Sequence, residues 1–274
     1  MNKPSQRKIR GLPVRSLAPN ILTVLSICAG LTSIRFSLDG RWEAAVAAIV
    51  IAGVLDSLDG RLARLLKGAT KFGAELDSLA DFLSFGVATA MVLYLWELNN
   101  VKPGGWTIAL TYCVCCALRL ARFNTALDDP DRPAWTADYF TGMPTPAAAG
   151  LALLPLILSF GVGGEYLLSE YVVAANTALV SFLMISRVPT YSFKRLRVRR
   201  EYVLPTLIAV ALTAAVLVNH PWAVVAIFWT LYVGSIPHAV YTYRRHEKRI
   251  AAGLDDDESD ETSDADENQD QEIN

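Results

Sequence analysis

Histidine is scarce in this chain: three residues among 274, scattered, and none within a cluster of metal-ligating side chains. Cysteine is almost as scarce, with four. Cys28 lies in the first apolar run, while Cys113, Cys115 and Cys116 crowd into another. Cys113 and Cys116 form a C-x-x-C, but no second pair or nearby histidine completes a zinc site. The group reads as small packing residues inside a membrane helix. Neither a Gly-x-Gly-x-x-Gly fingerprint nor a P-loop pattern is present, so the common phosphate-cradling loops are excluded. No repeat of fixed period occurs, and no nucleic-acid partner is expected. Ionisable residues are almost absent from the centres of the apolar runs.

Apolar residues, by contrast, are abundant, at 53% of the chain. Mean hydropathy is positive. Long apolar runs broken by short charged loops read as an all-α, polytopic membrane bundle, since roughly 20 apolar residues cross the hydrocarbon. Eight spans are expected, near 18–38, 42–60, 76–97, 106–123, 145–162, 168–187, 203–219 and 222–241. Pro144 and Pro146 suit the first turn of the fifth, where no N–H partner is lost. With the N-terminus in the cytoplasm, 22 of the 25 Lys and Arg residues fall on the inner side, leaving only Arg35, Arg41 and Lys102 outside. This positive-inside bias supports eight spans with both termini cytoplasmic. The apolar run from Ile21 ends without an A-x-A-like site, so it is not read as a cleaved signal.

The net charge of −2 hides an asymmetry, because residues 255–274 carry 11 of the 27 acidic groups and no basic one. Such a stretch cannot bury enough surface to order itself. The expected organisation is a juxtamembrane segment (1–17), a membrane domain (18–250) and a disordered acidic tail (251–274).

One stretch carries chemistry. Residues 56–81 read DSLDGRLARLLKGATKFGAELDSLAD, at the cytoplasmic ends of the second and third spans. Asp56, Asp59, Gly60, Ala63 and Arg64 share one helical face, and Gly73, Asp77 and Asp81 share another. A packing face at this spacing would be apolar. Even on a lenient insertion scale a charged Asp at mid-helix costs ~3 kcal/mol, so four converging carboxylates are poorly explained as packing. Divalent cations would relieve the conflict, and hard oxygen ligands suit Mg²⁺ or Mn²⁺, with Ca²⁺ a further candidate occupant. Gly60 and Gly73 remove side chains where a ligand approaches, and Arg64 offers a phosphate-binding fork. The bland alternative is that solvent, with Arg61, Arg64, Lys67 and Lys71, neutralises the carboxylates.

The pattern D-x2-D-G-x2-A-R-x8-G-x3-D-x3-D resembles the signature of the CDP-alcohol phosphatidyltransferase family, and every fixed position is met. The resemblance implies that Asp56, Asp59 and Asp77 bind metal. It makes Asp81 both a ligand of a second ion and the catalytic base. It places CDP and its pyrophosphate over Gly60, Arg64 and Gly73. A core of six helices and a homodimer are also implied. LAPNILTVLSICAG (17–30), SLADFLSFGVATA (78–90), RLARFN (119–124), YFTGMPTPAAAG (139–150) and SRVPTYSFK (186–194) look like the phosphatidylserine synthase branch of that family.

That branch implies transfer of the phosphatidyl group from CDP-diacylglycerol to L-serine at the cytoplasmic face of a prokaryotic plasma membrane, giving phosphatidylserine and CMP. Serine brings a carboxylate, for which Arg119, Arg122, Lys194 and Arg195, with Asn124 as amide partner, are candidates; the same cations could hold a lipid phosphate. Their plainer role is as positive-inside anchors. Asn20, Thr23 and Ser26, at i, i+3 and i+6, either line the nucleotide pocket or pack helices together. Glycerol 3-phosphate, inositol phosphate and choline are the alternative acceptors. A cation transporter is a remote alternative, because transit would need polar groups deeper in the membrane.

Overall fold

The computed structural model describes residues 14–66, 68, 70–127, 139–162, 169–186, 189–191 and 219–230, with the single positions 206, 212, 215, 216 and 234. Helices α1 (Val14–Leu38) and α2 (Trp42–Leu65) form an antiparallel pair. The turn between them needs the positive φ of Gly40, +70°, a conformation that costs glycine little. Across the pair, Ser26 Oγ donates to the carbonyl of Ala52 at 3.1 Å. The inward stripe of α2 runs through buried Ala45, Ile49 and Ala52 at helical spacing. Asp56 and Asp59 continue the same stripe, so two carboxylates stand where apolar core would otherwise extend.

α2 ends at Leu65 with Leu66 as its C-cap, and Thr70 restarts the chain as a helix. Its hydroxyl accepts from the Gly73 N–H at 3.0 Å, an N-cap that satisfies one of the orphan donors of α3 (Lys71–Asp81). At Asp81 the winding loosens into a π-helical segment, Phe82–Ala88, before α4 (Thr89–Trp96) resumes α geometry. Together these make one rod, Lys71–Trp96. α5 (Gly105–Leu127) packs against that rod on one side and against α8 (Glu170–Ile185) on the other.

The fifth expected span differs from expectation. In place of one helix over 145–162 there are two, α6 (Thr145–Ala152) and α7 (Leu154–Val162), broken at Leu153. Pro155 is the reason: it has no N–H to offer the carbonyl of Leu151. Asn176 of α8 fills that place, its Nδ2 donating to the carbonyls of Leu151 and Ala152 at 3.1 and 3.2 Å. A broken helix at membrane depth is tolerated when a neighbour satisfies the freed carbonyls in this way.

The described residues are not wholly helical either. Short strands β1 (Tyr139–Thr141) and β2 (Pro189–Tyr191) pair antiparallel, with Phe140 opposite Thr190. Helical periodicity could not reveal this ribbon, since it joins two loop segments 50 residues apart.

Among the described residues, three stretches can cross a bilayer by length and composition: Leu17–Leu38, Lys71–Trp96 and Gly105–Ala126. α2 is long enough, at ~36 Å for its 24 residues, but it carries the charges of the site. Glu170–Ile185 and α9 (Pro221–Thr230) are apolar but shorter. The expected span 203–219, residues 1–13 and the acidic tail fall largely or wholly outside the described residues, and the span 222–241 is described only at 222–230 and 234. Tyr112, Phe85, Leu93, Met143 and Leu156 fill the centre of the bundle. Ile21, Leu31, Tyr171, Leu179 and Phe182 face outward, the surface that lipid would cover.

Candidate active site

Helices α2 and α3 both pack against α1, and their acidic faces meet at the end of the bundle where the chain passes from one to the other. Asp56 and Asp59 come from the last turns of α2, Asp77 and Asp81 from α3. Carboxylate oxygens of Asp56, Asp59 and Asp77 lie within 4.8 Å of one another. The carboxyl group of Asp56 also adjoins that of Asp81. Asp59 is only 4% exposed and accepts a 2.6 Å hydrogen bond from Thr23 Oγ1 on α1.

The donor set fits a hard divalent cation. Oxygens around one Mg²⁺ or Ca²⁺ sit about 2.0–2.6 Å from the ion, so opposing ligands stand ~4–5 Å apart. The spacing of the three aspartates matches that geometry. Oδ1 of Asp81 is buried with no hydrogen-bond partner among the described residues, and a desolvated carboxylate oxygen calls for positive charge. Arg61, Arg64 and Lys71 form no ion pair with these aspartates among the described residues. Arg64 Nε instead donates to the carbonyl of Gly60 at 3.1 Å. Lys67 lies outside the described residues.

Beside the carboxylates opens a cavity of about 500 Å³, lined by Asn20, Thr23, Asp59, Gly60, Ala63, Arg64, Thr70, Gly73 and Asp77 among others. The two glycines serve it differently. A Cβ on Gly60 would meet nothing within 4 Å, so it would stand in the open volume itself. A Cβ on Gly73 would lie 2.9 Å from Asn20 Oδ1 and 3.2 Å from Thr70 Oγ1; this glycine lets α1 and α3 approach. Of Asn20, Thr23 and Ser26 on α1, the first two line the cavity. Ser26 does not: it stitches α1 to α2. A second cavity, about 570 Å³, lies across α2 and is mostly apolar, with Ser57 and Arg61 among its lining.

The residues considered for an acceptor are engaged with the protein in different ways. Arg119 is 8% exposed and donates to Thr145 Oγ1 at the start of α6; it lies near enough to Asp81 to interact with it electrostatically. Arg122 reaches the last carbonyls of α8, with Nη1 2.8 Å from the oxygen of Ile185. Gly142, at φ +85°, packs against that guanidinium, since a Cβ there would lie 2.8 Å from Arg122 Nη2. Asn124 Nδ2 donates to Ser78 Oγ at 2.9 Å. Lys194 and Arg195 lie outside the described residues. Ser78 and Thr145 join the site beyond the residues expected from sequence. Ser78 carries a local sign, because it is the hydroxyl directly following Asp77 on the acidic helix. Nothing local marks Thr145, whose partner is 26 positions away.

Comparison with known proteins gives results in line with this geometry. The profile described as CDP-alcohol phosphatidyltransferase matches residues 16–185, and that described as CDP-alcohol phosphatidyltransferase 2 matches residues 201–237. A CDP-diacylglycerol–serine O-phosphatidyltransferase of Mycobacterium leprae is 42% identical over 245 residues, 89% of this chain and 80% of its own length. One from Helicobacter pylori is 32% identical over 222 residues, covering 79% and 88% of the two chains. An archaetidylserine synthase of Methanothermobacter thermautotrophicus is 35% identical over 176 residues, covering 62% and 67%.

Proposed function

Because this chain belongs to the CDP-alcohol phosphatidyltransferase family, we propose that it transfers the phosphatidyl group of CDP-diacylglycerol to L-serine, releasing phosphatidylserine and CMP. The observation that carries the reading is the meeting of Asp56, Asp59 and Asp77 within 4.8 Å beside a cavity floored by glycine. The serine acceptor rests on the names of the relatives.

The roles follow from position. Asp56, Asp59, Asp77 and Asp81 would hold one or two Mg²⁺ or Mn²⁺ ions, or Ca²⁺ as an occupant. Such ions, when bound, polarise the phosphoryl oxygens and neutralise charge on the departing CMP. Gly60 leaves room for the nucleotide end, Gly73 sets the width of the pocket, and Arg64 lies at its wall to meet a phosphate. Acyl chains remain in lipid or enter the apolar cavity across α2. The serine hydroxyl oxygen attacks the phosphorus that bears diacylglycerol, and Asp81 receives its proton. The new bond is serine oxygen to phosphorus; the bond broken joins that phosphorus to the oxygen that leaves with CMP. Arg119, buried beside Asp81, is the cation best placed for the serine carboxylate. Arg122 and Lys194 remain candidates for a carboxylate or lipid phosphate.

We extend the proposal to the setting. The enzyme is a multi-pass protein of the plasma membrane with eight spans, both termini and the active site on the cytoplasmic side, acting as a homodimer. Its membrane domain covers 18–250, between a juxtamembrane segment (1–17) and a disordered acidic tail (251–274). Charge distribution supports this orientation.

The acceptor is tested by CMP release from CDP-diacylglycerol with single alcohols. Serinol, which lacks the carboxylate, should react about 10- to 100-fold more poorly than L-serine, as expected for loss of a charged hydrogen bond of about 1.5–3 kcal/mol. Equal rates, or a preference for glycerol 3-phosphate, would overturn the serine assignment and leave the transferase standing.

A further inference from the structure

Asp81 sits between two hydrogen bonds that reach the acidic rod from the same neighbour. Three residues before it, Ser78 Oγ accepts from Asn124 Nδ2 at 2.9 Å and lies 3.2 Å from the carbonyl of Ala74, to which its own proton is directed. Four residues after it, the carbonyl of Phe85 accepts from the hydroxyl of Tyr112 at 3.1 Å. Both donors stand on α5. Tyr112 is fully buried, in a setting where a phenol hydroxyl needs a partner.

The second bond falls in the π-helical segment Phe82–Ala88. A π turn holds more residues than an α turn, so side chains before and after it keep different faces from those an unbroken α-helix would give. Asp77 and Asp81, on the α side of the junction, turn toward α2. Beyond it Ser84 turns to α1, its Oγ donating to the carbonyl of Ser26 at 3.1 Å. Gly86 turns to α5, where a Cβ would lie 3.0 Å from the sulfur of Cys116. Cys113 Sγ adds a 3.7 Å contact to the carbonyl of Gly86. The junction is therefore held from outside, and Asp81 is its last α-helical residue.

We propose that α5 is a brace for the metal-binding face, with Asn124 and Tyr112 as positioning residues that fix Asp81 against Asp56. The idea rests on the functional reading above and deepens it. It reassigns Asn124 from the acceptor to the protein: this amide acts on the reaction through Ser78. Groups that orient metal ligands typically change metal affinity or activity 10–100-fold when removed.

The test uses full-length protein in detergent and the variants Ser78→Ala, Asn124→Ala and Tyr112→Phe, the last of which keeps the ring that fills the core. Mn²⁺ binding is titrated by electron paramagnetic resonance without substrate, thermal unfolding is followed in parallel, and kcat and KM are measured for both substrates. The brace predicts about 10- to 100-fold weaker Mn²⁺ binding or lower kcat in each variant, with the KM for serine within about twofold of wild type. Ser78→Ala combined with Asn124→Ala should be no worse than the poorer single variant, because both remove one interaction. A raised KM for serine in Asn124→Ala, with Ser78→Ala and Tyr112→Phe normal, would return Asn124 to the acceptor site and overturn the brace. Wild-type Mn²⁺ binding and kcat in both Ser78→Ala and Tyr112→Phe would also overturn it, even if Asn124→Ala did not fold. The Mn²⁺ arm needs no turnover, so the brace and the serine reading fail separately.

Discussion

Thr23 Oγ1 donates a 2.6 Å hydrogen bond to Asp59 Oδ2, joining α1 to the acidic face of α2. Both residues are buried, at 3% and 4% exposure. The bond occupies one carboxylate oxygen and fixes the direction of the other. Thr23→Val keeps the shape and deletes the donor. It should weaken Mn²⁺ binding or turnover about 10- to 100-fold, while Thr23→Ser, which retains the hydroxyl, should stay near wild type. Equal behaviour of the two variants in a Mn²⁺ titration would show that the hydroxyl has no part in ligand orientation.

Asp81→Asn should abolish turnover and leave CDP-diacylglycerol binding largely intact. The amide keeps the side-chain shape but accepts no proton from the serine hydroxyl. Loss of a general base costs about 100-fold or more. A variant retaining more than about a tenth of the wild-type rate would place the base elsewhere.

The two motif glycines should separate stability from binding. Gly60→Ala adds a methyl group that meets nothing within 4 Å and favours the helix by roughly 0.5–1 kcal/mol, so its thermal unfolding should match or exceed wild type while its KM for CDP-diacylglycerol rises. Gly73→Ala pushes a methyl against Asn20 and Thr70 and should lose about 1–3 kcal/mol as overpacking. Unfolding curves and KM values for the pair check this. A destabilised Gly60→Ala with normal KM would contradict the assignment of the cavity to substrate.

Much of this arrangement was legible in the sequence because the acidic faces are local. Asp56 and Asp59, or Asp77 and Asp81, share a face through helix period alone, and the short connection 66–70 brings the two faces together. What joins them to the rest was not legible. The Thr23–Asp59 bond spans 36 positions and the Tyr112–Phe85 bond 27; no periodicity encodes such pairs. The π segment is also invisible locally; its polar contacts run to Ser26 on α1 and Tyr112 on α5. The break at Leu153 did have a local sign in Pro155. Pro144 and Pro146 mark where that span begins, and neither shows where it parts. The ribbon of Tyr139–Thr141 with Pro189–Tyr191 joins segments that carry no local sign of pairing.

Asn176→Leu should destabilise the bundle without touching the chemistry. Its amide reaches Leu151 and Ala152 across the break made by Pro155. Polar links between membrane helices are worth ~0.6 kcal/mol on average and up to about 1.7, so a loss in the upper part of that range is expected. Unfolding in mixed detergent, with KM and kcat as controls, measures it; unchanged stability would mean that these carbonyls find other partners.

The most direct measurement is formation of phosphatidylserine by the purified protein from CDP-diacylglycerol and labelled L-serine, before and after exhaustive chelation. The account predicts one CMP per phosphatidylserine, no product after chelation, return of activity on adding Mg²⁺ or Mn²⁺, and none in Asp56→Asn with either ion. Full turnover after chelation, or undiminished turnover in Asp56→Asn, would contradict the role given to the aspartate cluster.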